Sequence, residues 1–253
     1  MIAPLPLTSA LASTVEIVEH SASTNADLRA VAATRPHLSV LLTDDQTAGR
    51  GRLDRSWVTP PGTALAISVL LRNLPAPGAA RGWIPLAAGL AMAEAVAAQL
   101  PRREVGVKWP NDVLVEGSKI CGILAEAAAD AVIVGAGVNT AMTAAQLPVP
   151  TATSFAVLGA EVDTDRLVAD YLRRLDGALA ALARIGDAEA SGLHAEVTAR
   201  CLTLGREVTV SLPDGSELRG TARRLDGDGR LMVAAGPDER AVSAGDVVHV
   251  RAA

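Results

Sequence analysis

The pattern of apolar positions predicts short strands along the first 140 residues of the chain. Alternating or continuous apolar runs are bounded by glycine, proline and polar clusters, which is typical of strands joined by turns. Strands are expected over 15–20, 39–43, 63–71, 104–108, 113–115, 120–127 and 131–138. The run over 63–71 has no polar alternation, so we expect that strand to be buried on both faces.

Helical spacing is found at four places between these strands and after them. Capping groups in Ser23-Thr24-Asn25 precede a predicted helix over 26–33. Apolar residues recur every three or four positions over 85–100, which predicts an amphipathic helix with Pro85 in its first turn. A long helix is expected over 167–182, capped by residue 163 or 164, and another over about 187–201.

The pattern changes at Gly205. From there, short alternating runs are joined by Pro-Asp-Gly and Asp-Gly-Asp-Gly turns, which indicate β-hairpins. This favours a small barrel of roughly 50 residues at the end of the chain. We therefore predict an α+β domain over 1–204 and a β domain over 205–253.

Composition narrows the classes of function. The net charge of -5 argues against a general nucleic-acid-binding protein, which usually carries a basic excess. Cys121 and Cys201 have no metal-ligand spacing and suggest neither a zinc site nor a disulfide framework. Residues 1–14 lack a basic, apolar leader pattern, and the run over 85–100 is too short for a membrane span and contains Glu94. We expect a cytoplasmic protein without a membrane partner.

The arginine loop, residues 49–57, is the first segment with evident chemistry. It places Arg50, Arg52 and Arg55 beside flexible glycines and ends at Trp57. Such a loop suits closure over a polyanion with an aromatic group, and Asp54 softens its local charge. The alternative is a solvated surface loop.

A second segment places Lys108 at the end of an apolar strand, followed by Trp109-Pro110 and then Asn111 and Asp112. A lysine beside a stiff turn can bind a carboxylate or phosphate as a point charge. The alternative is a lysine that faces water, with Trp109 in the core.

Smaller signals accompany these two segments. Gly122 within a strand indicates close approach by a ligand, a bulge or simply tight packing. Gly135-Ala136-Gly137-Val138-Asn139 lacks the third glycine of a dinucleotide fingerprint, and its asparagine could be a turn residue. Gln46 and Ser23-Thr24-Asn25 suit a neutral polar ligand head, although the serine and threonine could equally cap a helix.

Together and in this order, these segments resemble the biotin–protein ligases. The resemblance rests on Ser23-Thr24-Asn25, Gln46, residues 49–57, Lys108 through Asp112, Lys119, Gly122-Ile123-Leu124, Glu126 and residues 135–139. It implies a class II synthetase-like catalytic domain, in which helices flank a mixed β-sheet, followed by a small SH3-like β-barrel. It also implies a reaction in two steps, in which ATP and biotin form biotinyl-5′-AMP and a carrier lysine then takes the biotin.

The resemblance assigns roles to individual residues. Lys108, Arg52 and Arg50 are expected to be catalytic. Biotin is expected to contact Ser23, Thr24, Asn25, Gln46, Gly49, Arg50, Gly51, Arg52, Lys108, Gly122 and Leu124. ATP is expected to contact Arg52, Arg55, Trp57, Lys108, Asn111 and Asn139. Mg²⁺ should accompany the phosphates, and Asp112 is the only candidate side-chain ligand.

The implied partner is the biotin carboxyl carrier domain of an acetyl-CoA or acyl-CoA carboxylase. Only about 20 residues precede Ser23, too few for the DNA-binding module of bifunctional ligases, so no nucleic-acid partner is expected. A monomer or weak homodimer is expected. The alternatives are a lipoate–protein ligase, whose ligand head would need an apolar slot, and a nucleic-acid-binding module.

Overall fold

The computed structural model describes residues 2–52, 55–76, 78–212, 215–243 and 245–250. Its α-helices are α1 (Pro6–Ser9), α2 (Thr24–Ala30), α3 (Ile84–Gln99), α4 (Thr164–Ile185) and α5 (Leu193–Arg200). Its strands are β1 (Thr14–Ile17), β2 (Ser39–Thr43), β3 (Gly49–Arg50), β4 (Ser56–Trp57), β5 (Ala64–Leu71), β6 (Val105–Lys108), β7 (Asp112–Val115), β8 (Ser118–Ala128), β9 (Ala131–Asn139), β10 (Glu207–Ser211), β11 (Glu217–Leu225), β12 (Leu231–Ala235), β13 (Asp238–Val242) and β14 (Asp246–His249). Across the described ranges, no helix is both long and apolar enough to cross a membrane.

A seven-stranded mixed sheet organises the first part of the chain. Its strand order is β1-β2-β5-β9-β8-β7-β6, with β1 and β2 parallel and the other neighbours antiparallel. The interior strand β5 is buried at every position, as its continuous apolar run predicts. The predicted fold class, a mixed sheet flanked by helices and followed by a smaller β unit, is confirmed.

Helix α3 differs from its prediction as an amphipathic helix. Residues on all its faces are buried, because it packs between the large sheet on one side and α4 and α5 on the other. A helix covered all round can be apolar all round. Gly89 sits close to Val107 of β6, which brings the helix near the sheet.

The predicted helix over 187–201 is shorter than expected. Gly186 and Gly192 both adopt left-handed backbone conformations, with φ of 78° and 85°. The residues between them form a turn in which Asp187 accepts a hydrogen bond from the backbone of Ala190 at 2.7 Å. Helix α5 therefore begins only at Leu193, because the left-handed glycines interrupt the helical backbone.

The last part of the chain forms a five-stranded antiparallel sheet in the order β13-β12-β11-β10-β14. The alternating runs after Gly205, at 208–212, 231–233 and 247–250, correspond to β10, β12 and β14. Strands β11 and β13 were not predicted, since their charged side chains hide the alternation. The boundary between residues 204 and 205 stays a prediction, as does the effect of Asp54, which lies outside the described residues.

Two tryptophans join the C-terminal sheet to the rest of the molecule. Trp83, just before α3, donates its indole N–H to the carbonyl of Gly227 at 2.8 Å. Trp109, in the turn between β6 and β7, donates to the carbonyl of Gly229 at 2.9 Å. Both rings are buried, so Trp109 is a core residue whose polar atom also fixes the position of the C-terminal sheet.

Candidate functional site

A cavity of about 180 Å³ lies on the large sheet, where β5, β8 and β9 face the start of α2 and the arginine loop. Many of the residues selected by the resemblance line it: Ser23, Thr24, Asn25, Gln46, Arg50, Gly51, Arg52, Arg55, Trp57, Asn111, Gly122 and Leu124. Residues that are up to about 100 positions apart in the chain thus meet in one place.

Gly49, Lys108 and Asn139 are the predicted site residues that do not line this cavity. Gly49 lies behind Gln46, where an added Cβ would be 2.2 Å from the Gln46 amide nitrogen. Asn139 is buried and donates its side-chain amide to the carbonyl of Thr153 at 2.9 Å, which ties down the chain after β9. Their observed contacts are with the protein, and their ligand contacts stay predictions.

One end of the cavity is built from neutral hydrogen-bonding groups. Ser23 caps α2, and the Gln46 side-chain oxygen accepts from the backbone N–H of Thr24 at 2.9 Å and from its hydroxyl at 3.1 Å. Ser68 lies beneath them on β5, fully buried, with its hydroxyl 2.8 Å from that of Thr24 and 2.6 Å from the side-chain oxygen of Asn25. Ser68 had no predicted role, although a lone hydroxyl within an apolar strand is a signal that could have found it.

Two glycines of β9 make room for the side chains above them. A Cβ on Gly135 would lie 2.5 Å from the Asn25 side-chain oxygen, and one on Gly137 would lie 2.8 Å from the Trp57 ring. Any side chain at these positions would displace a residue of the cavity wall. The glycine spacing in β9 therefore serves close packing beneath the site.

The other end of the cavity is cationic. Arg52 donates to the side-chain oxygen of Asn111 at 3.1 Å and to the carbonyl of Gly245 at 3.3 Å. Burial lowers the pKa of Arg52, against the opposing attraction of Asp112 and Asp246. Because an arginine keeps its proton at any physiological pH, the guanidinium remains a permanent positive charge in this part of the wall.

Lys119 is a cavity residue to which no role had been assigned. Its ammonium group lies 2.6 Å from Asp112 and close to Gly122, where an added Cβ would be 3.1 Å from the nitrogen. Lys119 and Lys108 are the only two lysines in the chain, so the composition alone could have drawn attention to both of them.

Lys108, at the end of β6, is not among the residues that line the cavity, but its charge interacts with those of Asp112, Asp246, Lys119 and Arg55, which do. It pairs in register with Asp112, and burial lowers the pKa of its ammonium group, while Asp112 and Asp246 act in the opposite direction. Lys108 therefore adds positive charge near the cavity without lining it.

The C-terminal sheet also contributes to the cavity. Asp246, at the start of β14, lines it and forms a two-contact ion pair with Arg55, one contact being 3.2 Å. Burial alone would raise the pKa of Asp246, but the hydrogen bond and charge of Arg55, with the charges of Lys108 and Arg52, lower it. This contact between parts of the chain 191 positions apart was not predicted from the sequence.

The site offers few protein ligands for a metal ion. Within the described part of the chain, no group of three or more His, Cys, Asp or Glu residues could hold one. Asp112 is engaged by Lys119 and Asp246 by Arg55. A cation that arrives with a polyphosphate could still be held mainly by phosphate oxygens and water.

Two family models match the chain. Residues 17–139 match the biotin/lipoate A/B protein ligase family, and residues 203–250 match the biotin protein ligase C-terminal domain. The first range holds most of the cavity wall, and the second holds Asp246.

Known proteins resemble most of the chain. It is 42% identical over 242 residues to the biotin--[acetyl-CoA-carboxylase] ligase of Mycobacterium tuberculosis, covering 94% of this chain and 89% of that protein. It is 33% identical over 195 residues to the bifunctional ligase/repressor BirA of Escherichia coli, covering 74% of this chain and 59% of that protein.

A solved structure has the same fold. The biotin protein ligase of Aquifex aeolicus, in complex with biotin and ATP, superposes with a TM-score of 0.79 at 23% identity, covering 95% of this chain and all of that one. The family models and the extent of the mycobacterial match together show that this chain belongs to the biotin protein ligases of the biotin/lipoate A/B protein ligase family.

Proposed function

We propose that this chain is a biotin–[acetyl-CoA-carboxylase] ligase, which forms biotinyl-5′-AMP from biotin and ATP and transfers the biotin to a lysine of a carrier domain. The observation that carries the proposal is the cavity itself, which has a neutral hydrogen-bonding end and a cationic end. Biotin has the matching polarity, since its ureido ring is neutral and its carboxylate has to meet a triphosphate. The similarity to the mycobacterial ligase supports the same substrates.

The neutral end favours biotin over lipoate. Thr24, Asn25 and Gln46 present amide and hydroxyl groups there, and Ser68 lies buried beneath them. A ureido group can form further hydrogen bonds with such donors and acceptors, whereas a dithiolane ring can form none. A ligand head that forms these bonds gains binding free energy over one that cannot, so this end should discriminate against lipoate.

The cationic end suits the first chemical step. A carboxylate oxygen of biotin attacks the α-phosphorus of ATP, the bond to the β-phosphate oxygen breaks, and pyrophosphate leaves. Positive charges already in place stabilise the negative charge gathered there. Arg52 and Lys119 line the cavity and would supply them directly, while Lys108 would add its charge from the end of β6, next to Asp112. Arg50 and Gly51, also in the wall, would close over the acyl chain.

The nucleotide would lie toward Trp57, Arg55 and Asn111. Trp57 rests against Gly137 and offers the aromatic face on which the adenine would pack. Arg55 would exchange its ion pair with Asp246 for phosphate contacts. Mg²⁺ would come with the phosphates and add positive charge there, with Asp112 as its nearest candidate ligand from the protein.

The second step needs an opening for the acceptor amine. A larger cavity of about 680 Å³ adjoins the first and shares Arg52, Asn111, Ile123 and Leu124 with it. An acceptor lysine of the carrier could reach the acyl carbonyl from this side. Its nitrogen would form the amide bond as AMP leaves with the electrons of the cleaved anhydride bond, and the amine would lose a proton. The closed arginine loop would keep water from the adenylate.

Several broader predictions accompany this function. The division into domains 1–204 and 205–253 is supported by the start of the second sheet at Glu207. The cytoplasmic location, the monomeric or weakly dimeric state, and the expected lack of a nucleic-acid partner stay predictions. The ordering of the arginine loop on ligand binding also stays a prediction.

The test is an assay of both steps with labelled biotin, ATP, Mg²⁺ and a biotin carboxyl carrier domain. The wild type should label the carrier, and lipoate should not replace biotin. Lys119→Met should slow adenylate formation by about 10²–10³-fold, as expected for the loss of a preplaced cation. Lys108→Met, the matched variant at the lysine that does not line the cavity, should lose less.

The outcomes separate the function from its details. If the wild type never labels the carrier, the proposed function is wrong. If Lys108→Met loses more than Lys119→Met, the central charge belongs to Lys108, as the resemblance alone predicts. The small number of lysines keeps background labelling of the ligase low.

A further inference from the structure

Glu126 lies between the neutral end of the cavity and the arginine loop. It follows Gly122 and Leu124 on the same face of β8, because alternate residues of a strand share a face. Its side chain is only 16% exposed. The proposed chemistry does not use this carboxylate.

Three donors from two segments converge on this carboxylate. The Oε2 atom accepts a hydrogen bond from the Asn25 amide at 2.7 Å. The Oε1 atom meets Arg29 of α2 at 2.9 Å and Arg50 of the arginine loop at 3.2 Å. One side chain therefore contacts both a wall residue of the neutral end and the loop that covers the cavity.

The contacts with Glu126 and with the Leu124 carbonyl together determine which way the Asn25 amide faces. The amide nitrogen donates to Glu126 and, at 3.3 Å, to the carbonyl of Leu124, while the amide oxygen accepts from Ser68 at 2.6 Å. A flipped amide would set its oxygen against the carboxylate, which cannot donate when ionised. The orientation decides whether a ligand meets a donor or an acceptor at this wall.

We propose that Glu126 is a positioning residue that links Arg50 to the neutral end of the cavity, where the ligand head would bind. Its Oε2 atom holds Asn25 in the orientation that the ligand head requires, and its Oε1 atom gives Arg50 an anchor beside that end. The inference rests on the proposed function, because the ligand head is taken to be that of biotin. Arg50 and Asn25 then act together through the one carboxylate that they share.

The test uses Glu126→Gln, which keeps the size of the side chain and removes its charge. The variant should raise the KM for biotin and the Kd for biotin measured by calorimetry by about tenfold or more, the loss expected for one charge-assisted contact. The KM for ATP should stay within about twofold, whereas general damage to the fold would raise both. Glu116→Gln is the matched control, since Glu116 also pairs with an arginine, Arg103 at 2.7 Å, away from the cavity.

A double-mutant cycle with Arg50→Met tests the coupling itself. If the two residues act through one contact, the double variant should bind biotin about as weakly as the weaker single variant. If the losses of biotin affinity in the two single variants multiply in the double variant, the coupling is wrong. It is also wrong if Glu126→Gln binds biotin as tightly as the wild type does. If the wild type itself binds no biotin, both this inference and the proposed function are wrong.

Discussion

Replacing Gly135 by alanine should displace Asn25 at the neutral end of the cavity, by a distance that the structure gives. The new Cβ would lie 2.5 Å from the Asn25 side-chain oxygen, whereas ordinary contacts begin at 3.4 Å, so Asn25 has to move by roughly 0.9 Å. Asn25 is held by Ser68 at 2.6 Å, by Glu126 at 2.7 Å and by the Leu124 carbonyl. Such a shift breaks at least one of these bonds.

The expected cost follows from the bonds at risk. Loss of a neutral hydrogen bond costs about 1 kcal/mol, and loss of one to a charged group costs about 1.5–3 kcal/mol. The free energy of unfolding of Gly135→Ala should therefore fall by about 1–3 kcal/mol. Biotin affinity should fall about tenfold or more, because the wall that binds the ligand head is displaced.

Urea unfolding and calorimetric titration with biotin measure the two effects. Gly177→Ala is the matched control, because Gly177 lies within α4 with no atom near its added Cβ. That variant should gain about 0.5–1 kcal/mol in stability, as expected for alanine in place of glycine in a helix, and bind biotin normally. If Gly135→Ala matches the wild type in both stability and biotin affinity, the close packing over β9 does not hold Asn25 in position.

Two further predictions concern the C-terminal sheet. Asp246→Asn removes the ion pair with Arg55, whose side chain is 62% exposed. Hydrogen exchange in the described residues of the ligand-free arginine loop should therefore become faster, by up to about fivefold. Unchanged exchange would show that the ion pair does not hold the loop. Burial, with the charges of Lys108 and Arg206, lowers the pKa of His249 from 6.5 to about 4. The unfolded chain therefore takes up this proton at a higher pH than the folded chain, so the free energy of unfolding should fall as the pH drops from about 6.5 to 4. Urea titrations should show a shallower fall for His249→Gln, and parallel profiles would contradict the assignment.

Local sequence patterns predicted much of the fold. The bounds of β2 were predicted without error, and those of β5 and β9 to within one residue, because their apolar runs are bounded by turn residues. Helix α3 was located correctly, but its burial on all faces depends on the helices that cover it. Strands β11 and β13 were missed because charged residues obscure their alternation.

The residues of the candidate site, like the elements of the fold, were predicted only in part. The arginine loop, Gln46 and the Ser-Thr-Asn turn could be selected from the sequence, because each carries its chemistry in a short segment. Ser68, Asp246 and the convergence on Glu126 could not be selected so readily, because their importance comes from partners far away in the chain.

The sequence by itself determined the family, the order of most strands and helices, and the kinds of group that the site contains. These follow from local spacing and from side-chain chemistry that does not depend on packing. Only the tertiary structure decided which lysine lines the cavity, why β9 needs its glycines, and which carboxylates hold the arginines. Those features depend on strand register and on how the C-terminal sheet is joined to Trp83 and Trp109, and both arise from contacts between residues distant in sequence.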